Sequence, residues 1–170
     1  MLPYKNPLAY KQLRTWQQAN EILRLTEEFI KTLPHNEPAK SHMDRSARST
    51  VRNIEEGFRR TSTREYINFL GFSAGSNEEL MADFEHCLSS GHFNPHWGEE
   101  SQAMAERGFW LCKGEGKMLF NQIKALERKM ITEKTLSASE NARRAMKENK
   151  ERQEEFNKYL KGFLRDKKGP

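Results

Sequence analysis

The side chains able to do chemistry in this 170-residue chain fall into three small groups and one row. His86, Cys87, His92 and His96 offer imidazole and thiolate ligands, but Asn94-Pro95 separates the last two histidines, so they cannot ligate together at i and i+4 on one helix. No second cysteine pair closes a tetrahedron, and neither a metal nor any other cofactor is expected. Gly114-Glu115-Gly116-Lys117 has the composition of a phosphate loop without its spacing: the GxxxxGK run is missing, and Met118 stands where the hydroxyl residue belongs. Asn53, Glu56 and Glu65 could be mistaken for an acid–base set. Their positions around a helix–helix turn, with Glu56 four residues before Arg60, fit fastening of that turn instead. An enzyme is therefore not expected; a small metal-dependent enzyme would have only the histidine–cysteine group to stand on.

The row is arginine. Arg45, Arg48, Arg52 and Arg59 fall on one stripe at 100° per residue, and Arg60 follows at the end of the same helix. Arginines along a helix face can contact successive phosphates without reading sequence. They can equally form a solvated face or pair with carboxylates of a neighbouring subunit. Charge is segregated along the chain: residues 40–64 carry seven basic and three acidic side chains, and residues 65–115 carry two and nine, within a total of +5. A basic second helix and an acidic third could complement each other within one subunit or between two. A second basic cluster, Lys158, Lys161, Arg165, Lys167 and Lys168, lies near the C-terminus and adds secondary contact candidates.

Four amphipathic helices must position these residues. Trp16, Ala19, Leu23, Thr26, Ile30 and Leu33 predict a helix from about Leu13 to Leu33, stopped by Pro34 and Pro38. Met43, Ala47, Thr50, Val51, Ile54 and Phe58 give the buried face of a second, from about Ser41 to Arg60. Ser62 and Glu65 form a capping box that opens a third, whose face runs Tyr66, Phe69, Leu70, Ser73, Asn77, Leu80, Phe84 and Leu88 and which ends near Gly91. Ser73 and Asn77 are expected to make a small satisfied polar contact in the core. Gly71 and Gly75 lie on the opposite side, where their cost in a helix calls for a packing reason such as a subunit interface. A fourth helix is predicted from about Glu99 to Met130 on Met104, Leu111, Met118, Ile123 and Leu126, with a kink near Gly114.

Beyond Thr132 the composition becomes strongly charged. Ser137 and Glu140 give a second capping-box pattern, and Ala142, Ala145, Met146, Phe156, Leu160, Phe163 and Leu164 share a stripe, so a separate fifth amphipathic helix is predicted. The prediction is an all-α up-down four-helix bundle over residues 1–131 and a charged helical extension over 132–170. Hydrophobic residues make up 35%, which suits a narrow bundle core. Cys87 and Cys112 are expected to be ordinary buried thiols of a reducing compartment. No stretch has the ~20 apolar residues of a membrane span, and no signal-peptide run opens the chain, so a cytoplasmic location is expected.

Helices two and three carry a resemblance. Ala47 and Ser49, Asn53-Ile54 with Glu56-Gly57, Arg60, Ser62, Glu65, Phe69-Leu70, Ala74-Gly75-Ser76 and Glu79-Leu80 follow a small-residue helix, an NIxEG turn, an SxxEF/Y helix start and an AxGSxxEL continuation, with Tyr10, Leu13, Trp16 and Ala19 matching upstream. This pattern resembles the bacterial four-helix-bundle family of 23S ribosomal RNA intervening-sequence proteins, related to the accessory variability determinants of diversity-generating retroelements. The resemblance covers roughly residues 10 to 130 and is sharpest over 41 to 80. Glu55 replaces the small residue usual between Ile and Glu, weakening the local positive field, and Thr50 replaces an apolar one; the tail from Thr132 has no counterpart. The resemblance implies a left-handed up-down bundle that assembles as a homopentamer, with a positive surface for RNA or DNA and, in the retroelement relatives, for a reverse transcriptase. The other reading is a protein adaptor whose arginines serve subunit contacts and whose C-terminal helix clasps a partner.

Overall fold

Each helix begins and ends where local chemistry requires. The computed structural model describes residues 8–91, 93 and 98–166, with side chains as far as Glu154 apart from Glu148 and Arg152. A short 3-10 turn, Ala9–Gln12, leads into α1, Arg14–Thr32, which stops as Leu33 turns extended before Pro34. Pro38, with φ already fixed near the helical value, precedes α2, Ala39–Arg59. Arg60 is extended and donates its amide to Gly57 O at 3.1 Å, closing that helix. The Ser62 hydroxyl accepts from the Glu65 amide at 3.1 Å and opens α3, Thr63–Ser90. Gly91, at φ +63°, ends α3 in the left-handed conformation, its amide donating to Cys87 O.

The last element differs from expectation. A single helix, α4, runs over Gly98–Asp166 without a break near Met130, and Ser137 and Glu140 are exposed residues inside it rather than a helix start. Gly114 and Gly116 do not interrupt it either. Long runs of Glu, Lys, Arg and Ala after Thr132 favour continuation, and no proline or second glycine pair opposes it. The chain divides into two compact units, Met1–Glu127 and Arg128–Pro170. In the second, the helix surface is solvated, with i,i+4 pairs Lys129–Glu133 and Lys147–Glu151 at 3.9 Å. The expected stripe positions Phe156, Leu160, Phe163 and Leu164 lie outside the described side chains. Among the described residues there is no strand, and no helix is long and apolar enough to cross a membrane.

In the first unit the four helices form an all-α bundle whose core has two apolar clusters. One gathers Ile22, Phe29, Met43, Ala47, Leu80, Phe84, Ala105 and Cys112; the other gathers Ala19, Val51, Ile54, Tyr66, Leu70 and Leu119. On α2, α3 and α4 the residues between these sets are polar and buried: Thr50, Ser73, Asn77 and Glu115. Ser73 Oγ donates to Thr50 O at 2.8 Å, and Asn77 Nδ2 donates to Cys112 O at 2.8 Å. Thr50 Oγ1 donates to Ser46 O. Ser73 is thus satisfied as expected, whereas Asn77 is only half satisfied: its Oδ1 and both Glu115 carboxyl oxygens are buried with no hydrogen-bond partner.

The seam of α4 is not the predicted one. Ser101, Ala105, Gly108, Cys112, Glu115 and Leu119 are buried, while the larger Met104, Leu111, Met118, Ile123 and Leu126 flank them half-buried. Small residues win the central line because α4 lies close to its neighbours: a Cβ on Gly108 would sit 2.4 Å from the Phe84 ring, and one on Gly114 2.9 Å from Gln18 Nε2, which donates to Leu111 O. Gln122 ties α4 to both sides, accepting from Thr15 Oγ1 and donating to Tyr66 Oη.

Two expectations about stability follow from this packing. Burial pushes the Glu115 carboxyl from 4.5 up to about 8, so between those values the folded protein holds a proton that the unfolded chain has lost. Stability is fully present below pH 4.5 and falls as pH rises toward 8, by on the order of 1 kcal/mol per pH unit. Urea unfolding of Glu115→Gln should show a flatter profile over that window, with its advantage over the wild type growing with pH. At Gly57 an added Cβ would meet Phe69 Cβ at 2.6 Å and the Tyr66 ring at 2.9 Å. Gly57→Ala should therefore lower stability by roughly 1–2 kcal/mol despite alanine's better helix propensity, as read from the denaturation midpoint.

Candidate nucleic-acid interface

The outward face of α2 is set by what its inward face must do. Met43, Ala47, Thr50, Val51 and Ile54 are buried, which turns Arg45, Arg48, Arg52 and Arg59 to solvent. Toward α3 the helix is pinned by His42 to Asp83 (2.6 Å), Ser46 to Glu79 (3.3 Å) and Ser49 to Ser76 (2.8 Å), with Asn53 Nδ2 donating to Ser49 Oγ. Toward α1 the Trp16 indole donates to Glu55 Oε1 at 2.9 Å. Glu55, out of place in the sequence pattern, therefore has an interhelical partner.

The arginines are not equivalent. Arg48 Nε donates to both oxygens of Asp44, at 2.9 and 3.0 Å, and Arg48 Nη2 to Glu27 Oε1 of α1 at 2.9 Å. The Asp44 hydrogen bond and charge, reinforced by Glu27, raise its already high pKa, and two carboxylates surround one cation. Arg60 pairs with Glu56, and its guanidinium lies 4.6 Å from the centroid of the Phe69 ring. Arg59 lies over the Tyr10 ring at 5.3 Å. Arg45 and Arg52 are exposed and make no ion pair among the described residues. Seven residues apart on one stripe, they stand roughly 10 Å from each other along the axis. No arginine of α2 pairs with an α3 carboxylate among the described residues; Arg48 is held by its own helix and α1.

Of the secondary candidates, Lys158, Lys161 and Arg165 lie on α4 with side chains outside the described residues, and Lys167 and Lys168 lie outside them altogether. Among the described residues, those considered for catalysis or metal binding are not brought together. Asn53 bonds to Ser49 and Glu56 to Arg60, while the Glu65 amide completes the cap of α3. Cys87 and Cys112 are buried free thiols, pushed by burial to about 11 and about 12, with carboxylates nearby adding to the rise. His92 and His96 lie outside the described residues, and no group of three possible metal ligands occurs among the described ones.

A second exposed face escaped the sequence reading. On α4, Trp110, Lys113, Lys117, Phe120 and Lys124 recur at three- and four-residue spacing. Trp110 and Phe120 are 63% and 58% exposed, in a helix whose other large apolar residues in the bundle are at least half covered. Lys113 Nζ stands 4.7 Å from the Trp110 ring centroid and Lys124 Nζ 5.6 Å from that of Phe120. The signal was present as aromatic and lysine residues alternating on one stripe, opposite the Ala105–Cys112–Leu119 line. The sequence reading left Trp110 and Phe120 out of its α4 face and gave them no other role.

No curated protein matches the chain. The family described as 23S rRNA-intervening sequence protein matches residues 11–108, from the 3-10 turn through α1, α2 and α3 into the first turns of α4. That span is more than half of the 170 residues and contains the helix pair that bears the arginines, and on it the chain belongs to the 23S rRNA-intervening sequence protein family.

Proposed function

We propose that the protein is a non-catalytic module that binds RNA or DNA through the outward face of α2, as an oligomeric accessory factor of a reverse transcriptase or another RNA-containing complex. The observation that carries this reading is the pair Arg45 and Arg52, exposed on one helix stripe and making no ion pair among the described residues, with Arg59 continuing the line. Arg48 and Arg60 are less available to a ligand, because their charge is already met by Asp44, Glu27 and Glu56. Phosphate contacts of this kind are independent of base sequence and weaken steeply with salt. Two or three cations make a small footprint per chain, so useful affinity calls for several copies presenting the same face. A cytoplasmic site of action and kinship with the accessory variability determinants belong to the same proposal.

The outer side of α3 supports assembly. Gly71 and Gly75 cost the helix about 1 kcal/mol each against alanine, yet an added Cβ at either would meet nothing within 4 Å. Phe72 beside them is 61% exposed. A second copy packing closely there gives these residues a purpose, and a pentamer is the assembly we propose. The adaptor reading differs in assigning the arginines to that assembly.

Fluorescence anisotropy with a labelled RNA hairpin across a salt series tests the binding. The double variant Arg45→Ala, Arg52→Ala should reduce affinity at least tenfold at low salt and shallow the salt slope, whereas Arg48→Ala should cost less affinity. Absence of low-salt binding by the wild type, or an unchanged curve for the double variant, rejects the interface. Light scattering tests the assembly: Gly75→Leu should shift the mass toward monomer with helical content intact. A monomeric wild type, or an unchanged mass in the variant, rejects the subunit contact.

A further inference from the structure

Trp110 and Phe120 are large apolar groups that the bundle leaves uncovered, and the charged residues between them on their stripe are lysines. Lys113, Lys117 and Lys124 share their stripe, and Glu115, in the middle of the segment, points into the core and does not neutralise it. The acids near the stripe stand at its ends: Glu106, to which Gln102 donates at 3.0 Å, and Glu127, paired with Lys124 at 2.9 Å. Between them lies a strip of two aromatic rings and two further lysines, about 15 Å long at 1.5 Å per residue from Trp110 to Phe120. The contacts of α4 to α1 run through Leu111, Arg107 and Gln122, so this strip faces away from α1, whereas the α2 arginine row is edged by Glu27 of α1. The two faces are separate.

We infer that the α4 face formed by Trp110, Lys113, Lys117 and Phe120 binds single-stranded nucleic acid, its rings stacking on unpaired bases and its lysines meeting the backbone phosphates. This rests on the nucleic-acid reading above and narrows it to a strand state. Every base presents a π-face, so aromatic side chains beside cations bind unpaired strands without reading sequence, and a paired duplex withholds those faces. A protein partner fits less well, because lysine is depleted from the buried centres of protein interfaces and here it alternates with the rings. A lysine placed over a ring also keeps the phosphate-binding charge next to the base-stacking surface, so one nucleotide can engage both.

The test uses the full chain and two probes of equal length, an oligouridylate and an RNA duplex, each measured by anisotropy and by quenching of tryptophan fluorescence. The wild type should bind the single strand with quenching that Trp110→Ala abolishes. Trp110→Ala with Phe120→Ala should weaken single-strand binding at least tenfold and leave duplex binding within twofold, while Trp110→Phe retains most of the affinity. Both side chains are mostly exposed, and circular dichroism of the variants checks that the helices remain. Duplex binding that depends on Arg45 and Arg52, together with single-strand binding indifferent to Trp110 and Phe120, would sink this inference and leave the α2 interface standing. Absence of binding to either probe overturns both. A change of molecular mass in Trp110→Ala, with single-strand affinity unaltered, identifies the strip as a contact between copies and overturns the inference as well.

Discussion

The register of α2 against α3 is the constraint on which the rest of the bundle depends. It is fixed by several weak bonds rather than a strong one: Ser73 Oγ reaches the Thr50 carbonyl, Ser49 meets Ser76, and His42 meets Asp83, spaced along both helices. At the joint, Gly57 has no side chain to hold off Phe69 and Tyr66, so the two helices close tightly where the chain reverses. Turning α2 by one residue would break all of these at once and carry the Arg45 stripe toward α1 or α3, according to the direction of the turn. Surface chemistry is thus decided in the interior.

With that register set, electrostatics sorts the cations by what surrounds them. Arg48 sits between Asp44 and Glu27 and holds α2 to α1, and Arg60 lies between Glu56 and the Phe69 ring at the helix end. Exposed pairs of this kind contribute little individually to stability, and their larger effect is to occupy the guanidinium. What remains for a ligand is the subset without such neighbours. A count of basic residues overstates the available charge, and the distribution of carboxylates one turn away corrects it.

Much of this was legible in the sequence because it followed local rules. The buried line of α2, the Ser62 cap and the stop at Gly91 each depend on residues within about one turn, and they appear where the pattern put them. The α1 stripe was displaced by about one residue, with Ile22 and Phe29 in the centre and Leu23 and Ile30 at its edge. On α4 the inference failed for a tertiary reason. How near Phe84 and Gln18 come to Gly108 and Gly114 is not written in any local window, so small and polar residues took the seam and large ones its margins. The same error concealed Glu115 in the core and Trp110 at the surface. At the candidate interface, helical periodicity placed the arginines outward, but not which of them would meet Glu27, a residue 21 positions upstream of Arg48.

The polar layer at Thr50, Ser73, Asn77 and Glu115 also acts as an alignment key. Apolar side chains of similar size tolerate sliding, since one leucine fills another's place at small cost. A carboxyl group does not. Moving α4 by one turn along the bundle would carry Glu115 into the level of Phe84 and Met43 or of Leu70 and Ile54, and would take the Cys112 carbonyl away from Asn77. Imperfectly satisfied as it is, the layer penalises every such shift more than it penalises the native arrangement, so it trades stability for a single axial setting of the four helices.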